Sequence, residues 1–203
     1  LKRRLVKQPA EQICQWSGRA DAVCLTRPPF VFAATREVVM LILGIDPGIA
    51  ITGYGLVQER PDGEIEAVAY GVITTSADSS VPTRLQHIYR GVHALIEQYR
   101  PASAGIEKLL FGRNVTTAMN VGQARGVVIL ALADCGVPIA EYTPASVKQA
   151  VAGYGDASKA QVQEMVRLLL RLSSIPRPDD AADALAVAIA HLHSSRYQRL
   201  AGE

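Results

Sequence analysis

The chain has little that would tie it to a membrane, a disulfide scaffold or a nucleotide. None of its apolar runs approaches the roughly 18 residues that a membrane span needs, and no basic segment leading into an apolar core marks a secretory signal; the cytosol is the expected compartment, making the protein cytoplasmic. Cysteine is scarce. Cys14, Cys24 and Cys135 are odd in number, which argues against a disulfide framework, and their spacing fits no metal motif, so a reducing compartment suits them. There is no G-x-x-x-x-G-K-[ST] phosphate loop, no internal repeat and no low-complexity tract. Nor is there an excess of charge: the formal net is +2. Residues 1–39 carry seven Lys or Arg against three acids, so the remainder, with fourteen against sixteen, is about −2. Overall basicity therefore gives no support to nucleic-acid binding, and any DNA-binding face must come from segregation of charge.

What is present suffices for one well-cored domain: 203 residues, 49% hydrophobic and 20% charged. Residues 1–39 show neither helical nor strand periodicity and hold Pro9, Pro28, Pro29 and the single Trp. They read as a non-native or disordered extension, followed by a single domain over 40–195 and a tail over 196–203. Strands are expected at about 41–46, 53–59 and 65–74, broken by Pro47-Gly48 and Pro61-Asp62-Gly63, and three consecutive strands imply antiparallel neighbours. Leu85, Ile88, Val92, Leu95, Ile96 and Tyr99 recur at helical spacing before Pro101. A strand ending at Glu107, a helix over 116–134, a strand over 137–141 and helices over 144–151, 159–172 and 180–193 complete the pattern.

Four acids stand at the ends of these elements. Asp46 closes the run Leu41-Ile42-Leu43-Gly44-Ile45, Glu107 closes Ala104-Gly105-Ile106, and Asp180 and Asp183 open the last helix three residues apart, hence on one surface of it. Open α/β sheets take ligands at the carboxyl ends of their strands. Singly, each acid has an ordinary reading: a turn residue before Pro-Gly for Asp46, a solvated strand end for Glu107, capping and dipole complementation for Asp180 and Asp183. Three separate segments each delivering carboxylates to an element end favour one metal site instead. Oxygen ligands without Cys or His select Mg²⁺ or Mn²⁺ over Zn²⁺. Asp179 reads as a residue for capping and first-turn dipole complementation, and His191 and His193, two to three turns beyond Asp183, as surface or core-edge residues. The helix over 116–134 is apolar on more than one face, through Val127, Val128, Ile129, Leu130 and Leu132, which suits one face on the sheet and another on a second copy.

The ordered set Leu43-Gly44-Ile45-Asp46-Pro47-Gly48, Thr52-Gly53-Tyr54-Gly55, Ile106-Glu107, Gly122-Gln123-Ala124-Arg125-Gly126, Val147-Lys148-Gln149 and Asp180-Ala181-Ala182-Asp183 closely resembles the RuvC Holliday-junction resolvases over residues 40–193. The resemblance implies an RNase H-like α/β fold, a mixed five-stranded sheet with helices on both faces, and a homodimer. It implies an Mg²⁺-dependent endodeoxyribonuclease that nicks opposed strands of a four-way junction in recombination and repair, leaving 5′ phosphates and 3′ hydroxyls. It makes Asp46, Glu107, Asp180 and Asp183 the catalytic metal ligands, with two ions per site. Lys148 and Lys159 match basic positions that contact DNA near the metals. Arg113 and Arg125 stand where phosphates are gripped. Leu110 or Phe111 would be an apolar wedge in the junction, where the family often has an aromatic. The implied larger partner is the RuvA-RuvB branch-migration complex. Two rivals stay open at this point: an actin-like or sugar-kinase-like ATPase, whose first phosphate loop also follows a strand with Asp and glycines, and an RNase H-type nuclease of RNA-DNA hybrids. Gly48, Gly53 and Gly55 suggest a first hairpin slim enough for DNA to approach.

Overall fold

A computed structural model describes residues 40–108 and 115–202; residues 1–39, Leu110, Phe111 and Arg113 lie outside it. Five strands form one mixed sheet in the order β3-β2-β1-β4-β5. The meander β1 (Leu41–Asp46), β2 (Ile51–Glu59) and β3 (Ile65–Thr74) is antiparallel as expected, and β4 (Ser103–Glu107) and β5 (Ile139–Tyr142) continue parallel to β1. Helices α1 (Val81–Tyr99) and α2 (Val115–Asp134) cover one face; α3 (Pro144–Ala152), α4 (Lys159–Leu169) and α5 (Asp179–Ala201) cover the other.

The period-2 alternation of β1 divides the core. Leu43 and Ile45 join Leu56, Ile88, Val92, Val128 and Leu132 under α1 and α2, while Ile42 joins Val57, Val166, Leu185 and Ile189 under α5. Gly44 and Asp46 share the Ile42 side. Gly44 is paired with Gly55 on one side and Gly105 on the other, so three glycines cross the sheet in a row. They face the Ala-rich stretch Ala181–Ala190. A Cβ on Gly44 would stand 2.2 Å from the Ala184 carbonyl oxygen, and one on Gly53 2.0 Å from that of Asp180. These glycines thus let α5 lie against bare backbone, which corrects the expectation that Gly53 and Gly55 thin the hairpin for DNA.

Helix starts follow their caps. Ser80, Thr143 and Ser158 each accept a backbone N–H of the first turn, Ser158 in a reciprocal box with Gln161. α1 begins four residues before the apolar periodicity because Ser80 and Pro82 set its start. α5 runs to Ala201 rather than ending near His193, so part of the expected tail is helix, and Arg196 and Arg199 on it reach back to Glu59.

Candidate active site

The close seat of α5 brings the four acids together. Asp46 pairs in register with Gly53, the residue on which Asp180 rests, and Glu107 ends the neighbouring parallel strand on the same face of the sheet. The cap residue of α5 is Pro178 and no side chain caps the helix, so the capping part of the ordinary reading of Asp180 and Asp183 does not hold, while Asp180 does stand in the first turn, where a negative charge complements the helix dipole. Asp179 does not cap either; it pairs with Arg177 and lies 3.5 Å from Lys159.

Electrostatics set this cluster apart. Burial first, then the charges of Glu107, Asp183 and Asp180, pushes the Asp46 carboxyl up to about 7, against the pull of Lys159. Burial and Asp183 raise Glu107, with Lys159 and Lys148 pulling the other way. Burial also raises Asp183 by more than its hydrogen bond to Lys159 lowers it. Lys159 Nζ lies 2.8 Å from Asp183 Oδ2, while Lys148 acts on Glu107 through space. One ammonium group at contact distance does not neutralise four carboxylates.

The donor set fits a hard cation: carboxylate oxygens, with no thiolate or uncommitted imidazole near them among the described residues. His191 is buried in the core instead, its Nδ1 2.8 Å from the Tyr142 hydroxyl and its Nε2 2.9 Å from the Ser103 hydroxyl. Burial lowers its pKa to about 4, so it is neutral. Among the described residues, no three Asp, Glu, His or Cys side chains are drawn in tightly enough to hold an ion as they stand. Like charges spread apart, and Lys159 engages the Asp183 carboxylate.

Arg125 differs from expectation. Its Nη2 pairs with Glu141 Oε1 at 2.5 Å and its Nε donates to the Glu107 carbonyl at 3.4 Å, so it ties α2 to the ends of β4 and β5 instead of facing out toward phosphates. With the Lys108 N–H donating to the Tyr142 carbonyl at 2.7 Å, it fixes the strand end that carries Glu107. Sequence reasoning also missed Gln163, which is buried beside Asp179. A Gln four residues after Lys159 on an amphipathic helix reads as solvated; only the i, i+4 spacing pointed to the same surface.

A family model for crossover junction endodeoxyribonuclease RuvC matches residues 42–191. The chain belongs to the RuvC family. A RuvC from Roseiflexus sp. is 60% identical over 162 residues, covering 80% of this chain and 93% of its own. One from Brevibacillus brevis is 57% identical over 152 residues, covering 75% and 91%. Among solved structures, Thermus thermophilus RuvC in complex with a Holliday junction substrate superposes with a TM-score of 0.74 at 37% identity, over 78% of this chain and 96% of that one. The yeast mitochondrial resolvase Ydc2, at 15% identity and a TM-score of 0.57, shares the fold. RuvC membership makes the protein a crossover junction endodeoxyribonuclease, and neither the ATPase nor the hybrid-nuclease reading is favoured.

Proposed function

We propose that this RuvC-family enzyme resolves four-way DNA junctions with Asp46, Glu107, Asp180 and Asp183 as its catalytic metal ligands. One observation carries the assignment: carboxylates from three segments converge on a half-buried Asp46 whose carboxyl is pushed up to about 7, so full ionisation of the cluster at neutral pH is favoured by added positive charge. The four would hold Mg²⁺, or Mn²⁺ in its place, as two ions per site. Bound divalent ions supply water activation and stabilisation of the leaving 3′ oxygen in an in-line displacement.

The residues of the chain do the rest. Asp46 and Glu107 are presented by rigid strand ends and Asp180 and Asp183 by a helix seated on backbone, so their relative positions are held by the core. Lys148 and Lys159 supply cations beside the cluster for the scissile phosphodiester. The N-termini of α1, α3, α4 and α5 lie toward this end of the sheet, adding partial positive charge for a polyanion. Leu110 or Phe111 would enter the junction as a wedge and Arg113 would grip phosphate; a role for Arg125 in phosphate binding requires it to leave Glu141.

Two sites per junction call for two copies. On α2, Met119, Gln123, Gly126, Leu130 and Ala133 are exposed at alternating spacings of four and three, a coiled-coil-like seam, with Met119 62% and Leu130 52% exposed. Ala124, Val128, Ala131 and Leu132 pack inward. This outer seam is the proposed homodimer surface. A DNA-processing role suits a cytoplasmic enzyme, and the RuvA-RuvB branch-migration complex is its proposed larger partner. The test is incubation of the purified protein with synthetic four-way junctions, linear duplexes and RNA-DNA hybrids in Mg²⁺ or EDTA. Junctions alone are cut, symmetrically and into ligatable nicks, only with metal; cleavage in EDTA, or equal cleavage of duplex, overturns the reading.

A further inference from the structure

We propose that Lys159 is an exchangeable counter-ion of the carboxylate cluster: in the free protein its ammonium holds Asp183, and a divalent cation must displace it, releasing the lysine toward the DNA backbone. The proposal rests on the metal-site reading above. Lys159 Nζ is 2.8 Å from Asp183 and 3.5 Å from Asp179, so a proposed metal ligand is already engaged by a cation of the chain itself. That side chain is 56% exposed, so no packing confines it to this position.

The backbone beneath it biases the exchange. Lys159 is the first residue of α4, directly after the N-cap Ser158, whose capping box with Gln161 fixes the helix start. A cation at a helix N-terminus opposes the helix dipole. Its place there is favourable because carboxylates face it. Once a metal ion takes those carboxylates, the local field favours departure of the ammonium and arrival of an anion, which a DNA phosphate supplies.

Asp179 is not stranded by the move. Arg177 already pairs with it. Gln163, one turn along α4 from Lys159, is buried; its amide is near enough to stabilise the Asp179 charge. Its Nε2 is nonetheless not aligned to hydrogen-bond any protein group. An unsatisfied buried donor is costly, and here it stands ready to take over the acceptor that Lys159 leaves. Lys148 provides the contrast, since it influences Glu107 through space.

The experiment is calorimetric titration of MnCl₂ into the full-length protein without DNA, for wild type, Lys159→Met, Lys148→Met and Lys159→Arg. Lys159→Met is expected to bind Mn²⁺ roughly 3–10-fold tighter than wild type, the size of one partly exposed ion pair, and tighter than Lys148→Met. Lys159→Arg, which keeps a cation able to fork onto a carboxylate, binds Mn²⁺ no tighter than wild type. In EDTA, Lys159→Met melts below wild type, and saturating Mn²⁺ removes the difference, a crossing that a purely structural lysine does not produce. Equal Mn²⁺ affinity in Lys159→Met and Lys148→Met, or tighter binding by Lys159→Arg, overturns the exchange while leaving the metal site intact. Absence of Mn²⁺ binding in every protein, wild type included, overturns the metal-site reading and the exchange with it.

Discussion

The two ends of α5 show opposite ways of handling charge. At the far end, Arg196 and Arg199 both reach Glu59 at 3.3 Å, Arg171 pairs with Glu64 and Arg60 with Asp62, so every one of these anions has at least one cation beside it, in pairs open to solvent on at least one side. At the near end, Asp180 and Asp183 stand with Asp46 and Glu107 around Lys159, partly buried and under-neutralised. The recess lined by Glu64, Leu168, Arg171 and Arg196 lies at the matched end, away from the acids. Matched surface pairs contribute little to stability, about 0–1 kcal/mol each. The unmatched cluster costs stability that a fold selected for stability alone would have removed. Its persistence at the carboxyl ends of β1 and β4 is the mark of chemistry, and the contrast can be broken or sharpened by experiment.

The largest effect belongs to the unmatched end. Asp46→Asn, Glu107→Gln, Asp180→Asn and Asp183→Asn each keep volume and remove a ligand charge; each is expected to cut junction cleavage by at least about 10²–10³-fold, the scale of losing one preorganised electrostatic group. Folding and junction binding persist. Glu59→Gln at the matched end leaves cleavage within a factor of two or so. Near wild-type cleavage by any two of the four variants would defeat the site assignment.

The next effect is mechanical. Gly53→Ala places a methyl group 2.0 Å from the Asp180 carbonyl oxygen, and Gly44→Ala one 2.2 Å from that of Ala184, so α5 must lift. Each should lower stability by about 1–3 kcal/mol or more and depress cleavage, because Asp180 and Asp183 move with the helix. Gly63 at the matched end has φ +79° with open space around it. Gly63→Ala therefore incurs local strain and leaves cleavage unchanged. Denaturant melts paired with cleavage rates distinguish the two.

A smaller effect separates the ends by pH. Asp46 has a folded value of about 7 against 3.8 for the free side chain, so the native state keeps its proton to higher pH. The stability this supplies is complete below about 3.8 and is lost as pH rises through about 7. Burial and neighbouring acids raise Glu107 and Asp183 in the same sense. In EDTA the melting temperature should fall between pH 5 and pH 8. Asp46→Asn flattens that slope, millimolar Mg²⁺ restores stability at pH 8, and Glu59→Gln leaves the slope in place. A melting temperature that rises over the same interval in EDTA would contradict the frustrated cluster.

The smallest effect is expected from the segment before β1. Deleting residues 1–39, which lack periodicity and carry a net charge of about +4, should leave cleavage and dimerisation unchanged while weakening non-specific DNA binding at low salt. Rates and binding at low and high salt check this; a truncated protein that loses cleavage at every salt concentration would show that the segment belongs to the working enzyme.

Much of this was legible beforehand for local reasons. The antiparallel meander followed from three alternating runs separated by Pro-Gly and Pro-Asp-Gly, and the acids stood out because each ends a strand or opens a helix. The caps at Ser80 and Ser158 are local signals that went unread, and the first turn of α1 was missed with them because its apolar period starts only at Leu85. The far half of α5 was cut short because Arg196, Gln198 and Arg199 look like a solvated tail until Glu59 is seen beside them. Arg125 looked like a phosphate ligand because nothing near it in the chain revealed Glu141.

By itself, then, the sequence determined the order of the elements, the faces on which β1 and β4 carry their side chains, and the ends at which the four carboxylates sit, since propensity, turn chemistry and periodicity act between near neighbours along the chain. Tertiary structure alone decided that a row of glycines seats α5 on bare backbone, that Lys159 meets Asp183, that Arg125 is held by Glu141, and that Asp46 is pushed to about 7. Those outcomes depend on desolvation and on Coulomb interactions across a few ångströms of space, between segments far apart in the chain, and such distances exist only once the core has closed.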